Sequence, residues 1–389
     1  MQRCELHPIS IKLIKQGHPW VTLDSYSRRF PVADLFVTGV DPRKHPVATL
    51  LHDPQHKTVR GRVWSQDPQW SEKNFLNDLE VRLLQAIKKR EELASLGLRE
   101  NKYWCFGEAD LLPGLFLLQL KDQMIIQLYT SWWFKFKDTL IDLILKHSSF
   151  KKENLWLQVR GDEKNQTPPE PLMGPKREMN FALSENGFNI YARLGVAYDY
   201  GLYTDMAALR TNMKSLMAES PRVLNLYSYT GAFSLYALAL DATEVVSVDL
   251  SGKYLEWLEE NLKLNSFKGT HLSLKMATAE ALKKLSKEGR QFDLIICDPP
   301  SSSSDGQKRS SALQSYEEMW PDFQKLLAPK GRILSFLNTH TVTMPKFESV
   351  LKGLESNKLK MQKKYFLQDD CPAIKGFPEG NYLKGILWQ

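Results

Sequence analysis

Cysteine is scarce and scattered: Cys4, Cys105, Cys297 and Cys371 are the four in 389 residues, and none forms a C-x-x-C pair. That spacing argues against a zinc site and against a disulfide framework. Long apolar runs are missing as well. None approaches the roughly 20 residues needed to cross a bilayer. The opening Met1-Gln-Arg-Cys-Glu-Leu-His-Pro8 has no apolar core of the kind a signal peptide carries. A cytoplasmic location is therefore expected, with neither a membrane nor a metal as partner. Repeats are absent too, and only Ser301-Ser-Ser-Ser304 is low in complexity.

What is present is ordinary for a globular protein: 42% hydrophobic and 25% charged residues, in a chain long enough for two or three domains. The net charge is +7 with an isoelectric point of about 9.0. The basic residues are spread along the chain, so the charge permits a polyanionic partner without requiring one.

Residues 1 to about 70 read as a small β-rich unit. Ile9-Ser-Ile-Lys-Leu-Ile14 alternates as a strand does, and Asp34 to Thr38 and Thr58 to Trp64 are further strand candidates. In the last of these, a period of two places Arg60, Arg62 and Trp64 on one face. Such a face either grips a phosphate backbone and stacks on a base, or is a solvated strand face with a half-buried indole. Residues 71–176 read as an α+β unit. It has an amphipathic helix over Phe75 to Ile87, a hairpin over 115–129 and a helix from Trp132 to His147. The Pro- and Lys-rich stretch from Lys164 to Arg177 is the best linker candidate, and Glu185-Asn-Gly187 predicts a second hairpin.

From Val223 onward, strands and helices alternate, which predicts a parallel sheet covered by helices. Three apolar runs there end in chemical markers: Val223 to Tyr227 before Ser228-Tyr-Thr-Gly231, Glu244 to Asp249, and Phe292 to Asp298 before Pro299-Pro300. In a parallel sheet these ends line one crevice. Pyrophosphate cofactors use a glycine-rich turn there, whereas this turn holds Gly231 alone. Asp249 stands where a carboxylate accepts the hydroxyls of a ribose, although a helix-capping role fits an isolated Asp equally well. Together the markers point to a nucleoside cofactor without phosphates, with S-adenosylmethionine the obvious case. Asp298-Pro-Pro300 forms a fixed extended loop that can present carbonyls and a carboxylate to a base flipped out of its stack. Lys308 and Arg309, just beyond, either reach phosphates or belong to a solvated loop.

The chain resembles the bacterial PUA-domain ribosomal RNA large-subunit methyltransferases. Gly17-His-Pro-Trp20, Gly114-Leu115, Glu185-Asn-Gly187, Asp298-Pro-Pro300 and Pro378-Glu-Gly-Asn-Tyr-Leu-Lys-Gly385 carry the resemblance over essentially its whole length. Tyr227-Ser-Tyr-Thr-Gly231, Tyr254-Leu-Glu-Trp257 and Asn261-Leu-Lys-Leu-Asn265 are also similar to a guanine-N7 methyltransferase domain.

The resemblance implies a PUA-like RNA-binding domain over 1–70, a central α+β domain over 71–176 and a class I methyltransferase domain over 177–389. The last would be an α/β Rossmann-like fold with a mostly parallel seven-stranded sheet. S-adenosylmethionine would lie against Asp205, Tyr227, Tyr229, Thr230, Gly231, Asp249, Leu250, Thr278, Ala279 and Asp298. The partner would be 23S ribosomal RNA or a large-subunit particle, with a homodimer permitted.

Cytosine-C5 relatives attack the ring with a Cys just after strand five, where this chain has Asn338. A guanine nitrogen carries its own lone pair and needs no such nucleophile. Asp298, Pro299, Pro300 and Asn338 are thus the expected catalytic set for N-methylation. Two alternatives stand beside it: a cytosine-C5 enzyme using Cys371, and an RNA-binding assembly factor on a degenerate scaffold. The second is favoured by Thr278 and Met206-Ala207, which replace residues the family carries.

Overall fold

The computed structural model describes residues 1–22, 35–53, 56, 58–160, 167–217, 221–300, 302–304, 309–354 and 359–389. The chain packs as two units, each assembled from three stretches. The first is Met1–Met179 with Arg193–Tyr200 and Asp369–Gly380. The second is Asn180–Ala192 with Gly201–Gln368 and Asn381–Gln389.

In the first unit, β1 (Gln2–Glu5), β2 (Trp20–Thr22), β3 (Phe36–Val40), β4 (Pro46–His52) and β5 (Val59–Ser65) form a sheet in the order β1-β3-β4-β5-β2. The strand expected over Ile9–Ile14 is instead helix α1 (Pro8–Lys15). The alternation misled because Ile9 is 56% exposed, while Ser10, Ile11 and Ile14 are the buried set, which is a helical spacing. His7 caps the helix by accepting the Ile9 N–H at 3.2 Å, and Pro8 takes the first helical position, where its missing donor costs nothing.

After α2 (Phe75–Glu91) come β6 (Asn101–Phe106), β7 (Leu115–Leu120) and β8 (Gln123–Leu128). Then follow α3 (Lys137–His147), β9 (Leu155–Val159) and the short β10 (Glu170–Pro171). Their sheet runs β10-β9-β8-β7-β6. One apolar core joins Phe36, Leu51 and Trp64 of the first sheet to Phe75 and Leu79 of α2 and to Leu117 and Ile126 of the second sheet.

That shared core corrects the reading of the Arg60, Arg62, Trp64 face. Arg62 and Trp64 are each 3% exposed. The Arg62 guanidinium is spent on Glu108, which also accepts the Trp20 Nε1–H at 2.7 Å. The Trp64 ring packs 4.7 Å from Phe75 and lies beneath the Arg82 guanidinium at 3.9 Å. Only Arg60 stays half-exposed. A face closed by a helix and an acid cannot stack on a base, so Arg62 and Trp64 serve packing.

The second unit opens with the hairpin β11 (Met179–Glu185) and β12 (Phe188–Leu194), whose first and last residues group with the first unit. Asn186 at φ 48° and Gly187 at φ 94° make its tight turn, as the Asn-Gly pair predicts. Then follow α4 (Ala207–Asn212), β13 (Arg222–Leu226), α5 (Ala232–Ala239), β14 (Glu244–Asp249), α6 (Gly252–Lys263), β15 (Thr270–Lys275), α7 (Thr278–Lys287) and β16 (Phe292–Cys297). The small pair β17 (Ser302–Ser304) and β18 (Arg309–Ser311) precedes α8 (Ala312–Leu326), β19 (Leu327–Asn338), α9 (Met344–Lys352), β20 (Met361–Phe366) and β21 (Leu383–Trp388).

The seven-stranded sheet has the order β15-β14-β13-β16-β19-β21-β20. Its first five strands are parallel, and β21 runs antiparallel between β19 and β20. This is the expected α/β Rossmann-like architecture. Helix α8 starts earlier than Tyr316 because Ser311 and Gln314 form a capping box at Ala312. Strand order reverses between β13 and β16, which opens a crevice beyond their C-terminal ends.

Candidate active site

The β13 end enters a turn that L-residues adopt reluctantly. Tyr227 and Tyr229 have φ of 56° and 52°, and Gly231 has φ of 89°. Each non-glycine residue held there costs about 1–2 kcal/mol, so the surroundings must enforce the conformation. They do so through the main chain: the Ser228 N–H donates to Val248 O at 3.0 Å, and the Asn261 side chain donates to Thr230 O at 2.9 Å. Thr230 is fully buried and its hydroxyl donates to Gly201 O. Both glycines are obligatory. A Cβ on Gly231 would come 2.5 Å from Leu258, and one on Gly201 would come 2.2 Å from Trp257.

Asp249 closes the same end. One carboxylate oxygen accepts the Tyr229 N–H at 2.9 Å and the other accepts the Ser251 N–H at 2.8 Å. Burial raises its pKa, and the N–H donors of Ser251, Tyr229 and Leu250 hold it back. Each oxygen keeps further acceptor capacity, which suits hydroxyl donors and repels phosphate. The residues fit a nucleoside cofactor without phosphates. Leu250 is 57% exposed beside Asp249 and Ala279 is exposed. Thr278 is buried at the start of α7, and the Tyr227 hydroxyl donates to Met319 Sδ at 3.7 Å.

Two strands along, Asp298 follows β16, half-buried, with Pro299 buried and Pro300 exposed. The Tyr316 hydroxyl lies 2.7 Å from both Cys297 O and Phe336 O, and so ties the ends of β16 and β19 together. Asp298 has its pKa pushed up to about 7, chiefly by burial and then by the charge of Asp205, with Arg210 opposing. Asp205 is 9% exposed and accepts the Tyr382 hydroxyl proton at 2.7 Å. Arg210 is committed elsewhere: its fork meets Glu185 at 2.6 and 2.7 Å, both groups buried. Asn338 ends β19, exposed, and pairs in register with Leu383.

The crevice thus gathers two groups. The β13 and β14 ends bring Tyr227, Tyr229, Thr230, Gly231, Asp249 and Leu250. The β16 and β19 ends bring Asp298, Pro299, Pro300 and Asn338, with Asp205 acting on Asp298. Lys308 lies outside the described residues, and of Arg309 only the backbone in β18 is described. Cys297 is fully buried and burial drives its thiol pKa far up. Cys371 is 1% exposed and groups with the first unit. Tyr382 and Lys384, whose side chains reach Asp205 and Thr339 O, stand in the terminal Pro378 to Gly385 pattern, which in the sequence carried a resemblance but no chemistry.

Residues 146–373, more than half of the 389, match the family described as S-adenosylmethionine-dependent methyltransferase. The Ribosomal RNA large subunit methyltransferase I of Pseudoalteromonas translucida (strain TAC 125) is 26% identical over 388 residues, spanning 97% of this chain and 96% of that protein. Its namesake from Yersinia pseudotuberculosis (serotype O:1b, strain IP 31758) is 27% identical over 396 residues, spanning 96% of each. Among solved structures, the SMU.776 protein complexed with SAH superimposes with a TM-score of 0.88 at 20% identity over 100% of both chains. A SAM-dependent methyltransferase structure from Streptococcus mutans gives 0.83 at 19% identity, again over 100% of both. At these identities the structural likeness speaks for the fold, and the family match for the chemistry. The chain belongs to the S-adenosylmethionine-dependent methyltransferase family, with S-adenosylmethionine as its cofactor.

Proposed function

We propose that this enzyme methylates a base of large-subunit (23S) ribosomal RNA, at a guanine nitrogen rather than cytosine C5. Relatives aligned over almost the whole chain carry the name Ribosomal RNA large subunit methyltransferase I, which supports the RNA reading. The observation that carries the choice of atom is the missing thiol. Asn338 stands at the β19 end, and all four cysteines are buried. Cytosine C5 is not nucleophilic until a thiolate has added to the ring, whereas a guanine nitrogen brings its own lone pair.

Tyr229, Thr230 and Gly231 hold the methionine part of the cofactor, Asp249 its ribose, and Leu250, Thr278 and Ala279 border the adenine. Bound S-adenosylmethionine supplies an electrophilic methyl group. The protein's own contribution is alignment and exclusion of water. Pro299 and Pro300 fix the loop against which a flipped base lies, and Asp298 orients its edge. With a pKa near 7, the Asp298 carboxyl can also take up a proton that an amine or ring N–H gives up. Asn338 contacts the base or supports that contact.

The domain reading follows the same line: a PUA-like RNA-binding domain over 1–70, a central domain over 71–176 and the methyltransferase domain over 177–389, acting in the cytoplasm. The first test is transfer of labelled methyl to undermodified 23S ribosomal RNA, followed by mass-spectrometric mapping. A labelled guanine is expected. A 5-methylcytosine product, or no transfer to RNA at all, overturns the reading.

A further inference from the structure

The Pro378 to Gly385 pattern contains Tyr382-Leu-Lys384, and nothing in the function above uses it. Its side chains reach Asp205 and Thr339, which adjoin the base-side residues. The Tyr382 hydroxyl donates to Asp205 Oδ2 at 2.7 Å. The Tyr382 carbonyl accepts the Thr339 N–H at 3.0 Å and the Lys384 ammonium at 2.8 Å, and the same ammonium reaches Thr339 O at 2.7 Å. The His340 ring lies 5.0 Å from the Tyr382 ring. One residue before Thr339 is Asn338.

Lys384 is 2% exposed, a rare place for an ammonium. At its register positions the neighbouring strands present Leu337 and Phe366, both apolar. Burying a charge costs several kcal/mol unless it is well bonded, and a methionine would fill similar volume without that cost. Here the charge fastens two main-chain carbonyls, one on each side of the gap between β19 and β21.

We propose that Tyr382 and Lys384 are positioning residues for methyl transfer: Tyr382 holds the Asp205 carboxylate, and Lys384 clamps the main chain that carries Asn338. The proposal rests on the reading of Asp298 and Asn338 as base-side residues. Burial brings the Lys384 pKa down to about 8, so the clamp weakens as pH rises past that value. The other titratable groups tied to this end are Asp205, through Tyr382, and His340 against the Tyr382 ring.

The test compares full-length wild type with Tyr382→Phe, Lys384→Met and Lys384→Arg. Three quantities are read: kcat on undermodified ribosomal RNA, cofactor affinity by calorimetry, and amide hydrogen exchange across residues 338–341. Misplacement of this order predicts kcat lower by about 10-fold in Tyr382→Phe and about 100-fold in Lys384→Met, with cofactor affinity within about twofold. Exchange across 338–341 should quicken in Lys384→Met. Lys384→Arg should recover most activity and lose the fall in rate above about pH 8, because a guanidinium does not titrate there. Wild-type kcat in Lys384→Met or Tyr382→Phe overturns the proposal, as does an unaltered alkaline limb in Lys384→Arg. Should Lys384→Met fail to fold, Tyr382→Phe and Lys384→Arg decide. If wild type transfers no methyl to RNA, the RNA reading fails while hydrogen exchange still judges the clamp.

Discussion

Asp249 and Asp298 end parallel strands of one sheet, separated only by β13, and burial raises the pKa of both. Their neighbours set them apart. Asp249 receives main-chain N–H donors on each oxygen, which favour its charged form. Asp298 faces the charge of Asp205 instead, and its pKa reaches about 7. On the proposed function, the first would be a fixed acceptor for hydroxyls and the second a carboxyl able to exchange a proton. When environments push two acids apart, they mark out separate roles.

The comparison can be broken in order of expected effect. If Asp298 takes up the proton as proposed, Asp298→Asn should lower kcat by about 10²–10⁴-fold while leaving cofactor affinity intact. Single-turnover rates with calorimetry check this, and a matching loss of cofactor binding would erase the distinction between the two acids. Asp249→Ala should do the reverse. Loss of charge-assisted hydrogen bonds worth about 1.5–3 kcal/mol weakens the cofactor Kd by about 10–150-fold, with kcat recovered at saturation. Titration calorimetry reads it directly.

Smaller effects concern pH. If Asp298 must be ionised to take a proton, the wild-type rate rises with pH through about 7 and falls again above about 8 as Lys384 loses its proton. Asp205→Asn removes a charge that raises the Asp298 pKa, so the acid limb should move to lower pH. A limb that stays put assigns it to another group. For stability the sign is fixed: a carboxyl raised on folding is destabilising wherever it is ionised, so Asp298→Asn should melt at a higher temperature than wild type at pH 8. Thermal denaturation checks that outcome.

Much of this site was legible from local pattern. The Asn186-Gly187 turn, the run ending at Asp249 and the run ending at Asp298-Pro-Pro300 each announce themselves within a few residues, because backbone conformation and strand ends are local matters. Long-range partners were not legible. Tyr382 and Asp205 lie 177 residues apart, and Arg62 and Glu108 lie 46 apart. The alternation over Ile9 to Ile14 hid a helix because what faces the core depends on the sheet it packs against.

The chain by itself determined an alternating β/α segment, a crevice suited to a nucleoside without phosphates and an N-terminal region rich in strands. These follow from hydrophobic period, glycine count and turn chemistry, all carried by neighbouring residues. The tertiary structure decided which charges are available. It spent Arg62 on Glu108 and Arg210 on Glu185, set Asp205 against Asp298, and buried Lys384 between two carbonyls. Desolvation and pairing are properties of the packed neighbourhood, and only folding brings those neighbours together.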